Sequence, residues 1–598
     1  MLNSKIAKIL LNFALYLEME DEPFRSRAFE RAGRIIGAME EDIAEIYKKE
    51  GINGLEKIPE VGKGIAGRIE EFIKTGKISD YEKIKKKMPV DIAGLTAIEG
   101  IGPKMIKALY EHLKIKNVID LEKAAVAGKI SKIPHFKKKT EDNILKGIEF
   151  LKQCSDRFIL GFVLPLIRKI EERLQKLPEV QRVIVAGSVR RMKETISDID
   201  ILVVSQKPQK VMDFFVNMPE VVRVYGKGRV KSIVRLENGM DADLRIVEEK
   251  SFGAALNYFT GSKEHNMELR KIAREKNWKL NEYGLFKKSE IRNSKSEINQ
   301  KSKILNFKSR NEWIQIAGKT EEKIYEKLGL DYIEPELREN TGEIEKLQNN
   351  SLLKLIDYGD LKGDLQIQTN WSDGANSIEE MAREAMKLGL EYIVITDHTK
   401  SLAITGGSDE KKLLKQMNAI DKINKKFQVS GSKFRVLKGA EVNIMKDGSL
   451  DISDDVLAKL DVVGAAVHSN FNMPKKVMTE RIIRAMRNPN VDIIFHPTGR
   501  IINKRPGYEI DIEAIIKAAL ETGTILEIDA FPTRLDFNDY YIRKCVEAGV
   551  KMAIDSDAHH ISHLRYLDLG IAQARRGWAK KSDIINTLPI KEFLKELK

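Results

Sequence analysis

Val183-Ile184-Val185-Ala186-Gly187-Ser188-Val189-Arg190-Arg191, followed five residues later by Ser197-Asp198-Ile199-Asp200-Ile201-Leu202-Val203-Val204, is the stretch whose reading decides the fold of the central region. The second run reads as a buried strand, and side chains two apart on a strand point the same way, so Asp198 and Asp200 should project together. Met240-Asp241-Ala242-Asp243-Leu244-Arg245-Ile246-Val247 reads as a neighbouring strand that supplies a third carboxylate, Asp243. Three carboxylates at close quarters repel unless a cation neutralises them, and hard oxygen ligands suit Mg²⁺ or Mn²⁺. Two such ions can activate an attacking hydroxyl and stabilise a departing pyrophosphate. The Gly187-Ser188 turn offers backbone N–H groups and a hydroxyl to a triphosphate. Together these point to nucleotidyl transfer. A lone Asp-x-Asp more often caps a turn, but the Gly-Ser turn, the following strand and the later Asp-Leu-Arg argue against that here. Asp241 shares a face with Asp243 and is expected to be a supporting or solvent residue.

Outward from this site, 598 residues are enough for several domains, each with its own core. A hydrophobic content of 42% with 32% charged residues describes a soluble globular protein, and the net charge of +14 points weakly to a polyanionic partner. Cys154 and Cys545 have no paired spacing, which excludes a disulfide framework or a thiolate zinc site and fits a reducing, cytoplasmic setting. The apolar run Ile9–Leu17 is short, contains Asn12 and passes straight into acidic residues, so it reads as an amphipathic helix rather than a signal peptide. No stretch approaches a membrane span, and no membrane partner is expected.

Residues 1–150 read as all-α, with short glycine hairpins at Ile58-Pro59-Glu60-Val61-Gly62-Lys63-Gly64 and Ile98-Glu99-Gly100-Ile101-Gly102-Pro103-Lys104. Ile133-Pro134-His135-Phe136 reads as a third hairpin that has lost its glycines. A Gly-x-Gly turn that opens a helix exposes N–H groups at the positive helix end, which suits a phosphate. One such segment is usually an ordinary turn; two, each with a lysine, favour helix-hairpin-helix contact with DNA through Gly62, Lys63, Gly64, Gly100, Gly102 and Lys104. Lys287–Arg310, rich in Lys, Ser and Asn, reads as a basic insertion. From Leu361 onward, strand-like runs (Glu391–Thr396, Phe434–Val442, Asp461–Val467, Asp492–Phe495, Thr524–Ile528, Lys551–Ile554) alternate with helical patterns, which predicts a parallel α/β barrel. His398, Glu441, His468, His496, Asp557 and His559 fall at or past strand C-termini, the rim where barrel enzymes place their sites. His560 and His563 have no such placement and are left structural.

With these motifs the chain resembles microbial family X DNA polymerases that carry a C-terminal polymerase and histidinol phosphatase (PHP) domain. The resemblance also rests on Tyr258-Phe259-Thr260-Gly261-Ser262-Lys263-Glu264-His265-Asn266 with Arg270, on Asn281-Glu282-Tyr283-Gly284-Leu285-Phe286, and on Pro335-Glu336-Leu337-Arg338-Glu339-Asn340. It implies a multidomain chain. Residues 1–85 and 86–150 would be helix-hairpin-helix domains, the first resembling an 8-kDa domain and the second fingers. Residues 151–335 would form an α+β nucleotidyltransferase palm with its nucleotide-selection subdomain, and 336–360 a linker. Residues 361–598 would form a distorted (β/α)7-type barrel with metal-dependent phosphoesterase character.

The implied function is DNA-directed synthesis across short gaps in repair, by a monomer acting on gapped or primer-template DNA and deoxynucleoside triphosphates. Asp198, Asp200 and Asp243 would hold two catalytic ions, and Ser188 and Arg191 would contact the triphosphate, with Gly187 allowing close approach. Tyr258, Phe259 and Gly261 would line the sugar site, Lys263 would help hold the nucleotide, Asn266 would reach the nascent pair and Arg270 the template strand. The lyase chemistry of some members needs a lysine amine for a Schiff base, and the matching position here is Arg68, which cannot serve; Lys63 is nearby.

A larger departure lies in the barrel, where the family's Asp-x-His-x-His reads Asp364-Leu365-Gln366-Ile367-Gln368. The resemblance places Gln366 and Gln368 with Glu441 and Asp557 around one ion. It places Asp373, His398 and His496 around a second, and Glu441, His468 and His559 around a third, with Mn²⁺ or Zn²⁺ as occupants. Glutamine is a weaker, harder ligand than imidazole, so 3′–5′ trimming by the barrel is expected to be weakened. The rival readings are a barrel that only braces the polymerase, a DNA-end scaffold without catalysis, and a template-independent nucleotidyltransferase.

Overall fold

A computed structural model describes residues 2–39, 41–154, 157–288, 313–348 and 354–598. The basic insertion expected from Lys287 lies outside the described residues beyond Lys288. Contacts divide the chain into two compact units: one of Met1–Ser155, Ile356–Ala574 and Lys581–Lys598, the other of Asp156–Leu355 with Arg575–Lys580.

The first unit opens with the helices Leu2–Met19 and Pro23–Ala38. Ile6, Leu10, Phe13 and Leu17, one helical stripe, are buried. The apolar run that imitates a signal peptide is thus the core face of an amphipathic helix. Three helix-turn-helix hairpins share one geometry. Glu60, Gly100 and His135 are left-handed (φ 62°, 80° and 69°). In each case the next N–H donates to the carbonyl three residues back: Val61 to Ile58 at 3.0 Å, Ile101 to Ile98 at 3.2 Å, Phe136 to Ile133 at 3.1 Å. The helices Lys63–Thr75, Pro103–Leu113 and Lys138–Cys154 follow these turns. The third hairpin therefore keeps its turn without glycine, because the conformation is set by the closing hydrogen bond and the buried Ile133.

The second unit is built on a five-stranded sheet of β1 (Val180–Val185), β2 (Asp198–Ser205), β3 (Val221–Lys227), β4 (Lys231–Leu236) and β5 (Asp241–Val247), in the order β1-β2-β5-β4-β3. Only β2 and β5 run parallel. Ile199, Ile201 and Val203 of β2 pack with Ile167, Ile170 and Phe215 of the covering helices. Leu202 and Val204, on the opposite face, pack with Phe252 and Ala255. The strand is sandwiched except at its start, where that second face carries Asp198 and Asp200. Beyond it, β6 (Trp278–Asn281), β7 (Gly284–Lys288) and β8 (Trp313–Ala317) form a second, antiparallel sheet. The segment expected as a linker from residue 336 begins inside this unit instead: Leu337 and Ile344 are core residues and Arg338 is fully buried.

The C-terminal part of the first unit is a seven-stranded parallel sheet in sequence order: β9 (Gly363–Ile367), β10 (Tyr392–Ile395), β11 (Arg435–Asn443), β12 (Val462–Ala466), β13 (Ile493–Ile494), β14 (Ile525–Asp529) and β15 (Met552–Asp555). A parallel bridge between Ile367 and Ala558, and the Gln368 N–H donating to the Ala558 carbonyl at 2.9 Å, nearly close it into a barrel. Near-continuous apolar burial along these strands is what a parallel sheet covered on both faces requires.

Candidate functional site

Parallel pairing of β2 and β5 sets Asp198 opposite Asp241 and Asp200 opposite Asp243. Arg235, across β4, takes both oxygens of Asp241 at 2.5 and 3.1 Å, so Asp241 is occupied as a supporting residue. Asp243 Oδ2 meets Lys231 at 3.0 Å and Arg245 at 3.1 Å, while its buried Oδ1 has no hydrogen-bond partner. Burial, then the charges of Asp198 and Asp243, push the Asp200 carboxyl up to about 6. An orphaned oxygen beside a carboxylate destabilised by its neighbours fits a divalent cation. The turn before β2 is equally constrained: Gly187 has φ +62°, and a Cβ there would lie 2.4 Å from Asp200 Oδ2.

A cavity of about 720 Å³ brings together Gly187, Ser188, Arg191, Asp198, Asp200, Tyr258, Phe259, Gly261, Lys263, Asn266 and Arg270. Asp243 stands one strand over from Asp200 and is not on its wall. Asn266 donates to the Tyr258 carbonyl at 2.8 Å and Arg270 to the Asn266 carbonyl at 3.1 Å, which fixes this helix to the Tyr258-Phe259 pair. Arg191 donates from Nε to Glu339 at 3.0 Å and from Nη1 to the Thr260 carbonyl. Arg157, Lys193 and Glu339 also line the cavity. Sequence reasoning gave none of them a role: Arg157 and Lys193 belong to no local pattern, and Glu339 was read only as part of a signature segment.

Behind the wall sits an ion-pair network that gives the signature segments their purpose. Glu321 accepts from Arg190 at 2.6 Å and from Arg338 at 2.5 Å. Burial works to raise its pKa, but the two guanidinium groups hold it at about 2. Arg190 also donates to Thr260 Oγ1 at 2.7 Å, tying the Gly-Ser turn to the Tyr258–Gly261 corner. His265 is buried between Glu343 (2.7 Å) and the Tyr325 hydroxyl (2.9 Å), and its pKa is lowered chiefly by burial.

In the barrel, among the described residues, His and carboxylate ligand atoms converge in two groups: Asp373–His398–His559, and His398–Glu441–His468. This corrects the expected partition. His559 lies 3.7 Å from Asp373, and His496 donates or accepts at 2.9 Å with Glu441 instead of meeting Asp373. The loops after the strands bring these side chains together in an order that sequence position does not fix. Asp373 Oδ1 has no hydrogen-bond partner and faces two imidazoles, and this donor set fits a divalent cation. The first expected set does not. Gln368 Nε2 donates to Glu441 at 2.6 Å, Gln366 is buried with no partner for either side-chain atom, and the Arg534 guanidinium stands 3.5 Å from Asp557 and 3.4 Å from Asp529. An internal cation already faces the carboxylate that would anchor that ion. His560 caps its own turn through Ser562, and His563 stacks on Tyr566.

In the helical region Lys63 and Lys104 are exposed at the hairpin helix starts. Arg68 is bound to Asp80 at 2.5 Å and to the Gly64 carbonyl at 2.7 Å, with its guanidinium over Phe29. Among the described residues no helix is long and apolar enough to cross a membrane.

Comparison with known proteins agrees along the chain. Family models match for a helix-hairpin-helix domain at residues 1–78, a SAM-like helix-hairpin-helix tandem at 92–149, the DNA polymerase beta thumb at 255–339 and the PHP domain at 364–529. The DNA polymerase/3′-5′ exonuclease PolX of Bacillus subtilis (strain 168) is 36% identical over 596 residues, 99% of each chain. Probable phosphatases of Thermoanaerobacter sp. (strain X514) and Acetivibrio thermocellus are 34% and 32% identical over 37% and 31% of this chain, covering 89% and 73% of theirs. With hairpins, carboxylate sheet, thumb and PHP barrel in this order, the chain belongs to the family X DNA polymerases that carry a C-terminal PHP domain.

Proposed function

We propose that the chain is a DNA-directed DNA polymerase that fills short gaps, with a barrel that acts as a metal-dependent phosphoesterase on DNA 3′ ends. The observation that carries the first half is the lateral pairing of Asp200 with Asp243 beside Gly187-Ser188, on a cavity that also gathers Arg191, Tyr258, Lys263 and Asn266. Ser188, Arg191 and Lys263 receive the triphosphate. Tyr258 and Phe259 pack beside the sugar, where a 2′-hydroxyl would crowd the backbone, and Asn266 faces the nascent pair while Arg270 faces the template. The primer 3′-hydroxyl attacks the α-phosphorus, the bond to the β-phosphate oxygen breaks, and pyrophosphate leaves. Asp198, Asp200 and Asp243 would hold Mg²⁺ or Mn²⁺, which would supply charge stabilisation to the reacting oxygens.

The hairpins hold backbone phosphates. Gly62 and Gly102 support this: each has an ordinary negative φ, and a Cβ on either would meet nothing within 4 Å. Each caps the helix that follows, and the open space around it leaves the backbone accessible to close approach by a phosphate. For the barrel, the two converging ligand groups supply positions for Mn²⁺ or Zn²⁺, and the relatives' names supply the reaction class. Arg68, bound to Asp80, stands where lyase chemistry needs a lysine and is a guanidinium that stays protonated, which makes Schiff-base chemistry at that position unfavourable. A DNA substrate fits a cytoplasmic setting.

The test is extension of a 5′-labelled primer on a one-nucleotide-gapped duplex with Mg²⁺ or Mn²⁺, with and without deoxynucleotides. Extension by the wild type but not by Asp200→Ala is expected. Primer shortening should persist in Asp200→Ala and vanish in His468→Ala. No extension would refute the polymerase reading, and no shortening under either metal would refute the barrel reading.

A further inference from the structure

After the barrel the chain re-enters the unit that holds the carboxylate sheet: residues Arg575–Lys580 cluster with Asp156–Leu355. Trp578 is buried in that unit's core with Tyr325, Leu328 and Leu337. Arg575 Nε donates to Glu336 at 2.8 Å. The next residue, Arg576, is buried (side chain 3% exposed), and a buried arginine persists only where its donors are used.

Arg576 Nη1 donates to the backbone carbonyl of Arg191 at 2.9 Å, to Glu339 Oε1 at 3.1 Å and to the Glu336 carbonyl at 3.4 Å. The same Glu339 oxygen accepts from Arg191 Nε at 3.0 Å, and Lys193 approaches the other Glu339 oxygen at 3.7 Å. One carboxylate thus faces three cations, and two of those, Arg191 and Lys193, are on the cavity wall. Without Arg576, Glu339 would be compensated by Arg191 and Lys193 alone, and a carboxylate paired mainly to Arg191 would mask the charge that meets the triphosphate.

We propose that Arg576, encoded beyond the barrel, is a positioning residue of the nucleotide site: it holds the Arg191 backbone and takes up the Glu339 charge, leaving the Arg191 guanidinium available to the incoming triphosphate. The proposal rests on the assignment of Arg191 to the triphosphate made above. It gives a stretch that follows the last barrel strand a role in nucleotide binding, and it makes the polymerase depend on residues encoded after that strand.

The experiment is steady-state filling of a one-nucleotide gap by the full chain, comparing wild type, Arg576→Met, Arg576→Lys, Arg191→Ala and the Arg191→Ala/Arg576→Met pair. Affinity for the gapped duplex is measured by fluorescence anisotropy and folding by thermal melting. Loss of charged hydrogen bonds predicts that Arg576→Met raises KM for the nucleotide by about tenfold, with kcat and duplex affinity much less changed. Arg576→Lys keeps the charge and should return KM to within about threefold of wild type. In the Arg191→Ala background Arg576→Met should add almost nothing, because the group it positions is gone.

A KM for Arg576→Met within twofold of wild type, alongside a raised KM for Arg191→Ala, would overturn the proposal and leave Arg191 in place. An unchanged KM for Arg191→Ala would overturn the assignment of Arg191 and this proposal with it. If Arg576→Met does not fold, Arg576→Lys decides. A KM raised between about twofold and threefold by Arg576→Lys, with kcat and duplex affinity near wild type, supports positioning, and a KM within twofold overturns it. A fall in duplex affinity or melting temperature at unchanged KM would mean a packing role only and overturn it.

Discussion

Gly187→Ala is the sharpest perturbation that the geometry allows, because one added methyl is placed against one oxygen of Asp200, the carboxylate proposed to be catalytic. Gly187 is buried with φ +62°, and an alanine in that left-handed region costs about 1–2 kcal/mol before any contact is counted. The new Cβ would stand 2.4 Å from Asp200 Oδ2, whereas ordinary contact begins at 3.4 Å. The carboxylate must therefore retreat by about 1 Å, since the backbone is pinned: the Ala186 N–H donates to the Asp200 carbonyl at 2.8 Å, and Val185 is paired with Ile201. A displacement of that size in a positioned group costs on the order of 100-fold in rate, about 2.7 kcal/mol of transition-state free energy. The assay is kcat/KM for one-nucleotide gap filling, with melting temperature measured in parallel. Gly226→Ala is the control, because a Cβ on Gly226 meets nothing within 4 Å in the same sheet. A folded Gly187→Ala enzyme with activity within threefold of wild type, or an equal loss in Gly226→Ala, would refute the placement of Asp200 as a catalytic carboxylate.

The ion-pair network should be visible in acid. Glu321 is held at about 2 against a usual 4.5, so its stabilising contribution is complete above pH 4.5 and is lost as pH falls toward 2. Urea-unfolding midpoints followed by tryptophan fluorescence should decline across that window in wild type and lie flatter, from a lower start, in Glu321→Gln; parallel curves would contradict the assignment. In the barrel, the full chain with Asp198→Asn and Asp200→Asn should still take up Mn²⁺ by equilibrium dialysis, and His398→Ala, the residue common to both converging groups, should lower that uptake. Unchanged uptake in His398→Ala would remove these groups from metal binding. Lys63→Gln and Lys104→Gln should each reduce the slope of log affinity for gapped DNA against log salt by about 1, whatever the sequence. An unchanged slope would remove the hairpins from the phosphate contact.

What was legible in the sequence is what the chain states locally. Asp198 and Asp200 share a face by strand periodicity, and histidines past strand ends converge because a closed parallel barrel has one C-terminal rim. What was illegible depends on elements far apart in sequence meeting. Asp241 looks identical to Asp243 on its strand; only the register with β4, which sets Arg235 opposite Asp241, separates the carboxylate held by Arg235 from the one whose Oδ1 has no partner. The hairpin glycines pointed to the right turns for an incomplete reason, since two of the three left-handed positions are Glu60 and His135. Five of the seven barrel residues singled out from the sequence converge in two groups, but not in the grouping expected, because that is fixed by side-chain directions on separate loops. Glu339 read as part of a signature without a role, and Arg576, separated from it by 237 residues, had no signal at all. A single buried guanidinium joined to two such segments is a fact of tertiary packing. It follows that dissecting this polymerase before the barrel would remove Arg575–Lys580, which cluster with the carboxylate sheet's unit, a consequence that motif reading alone would have missed.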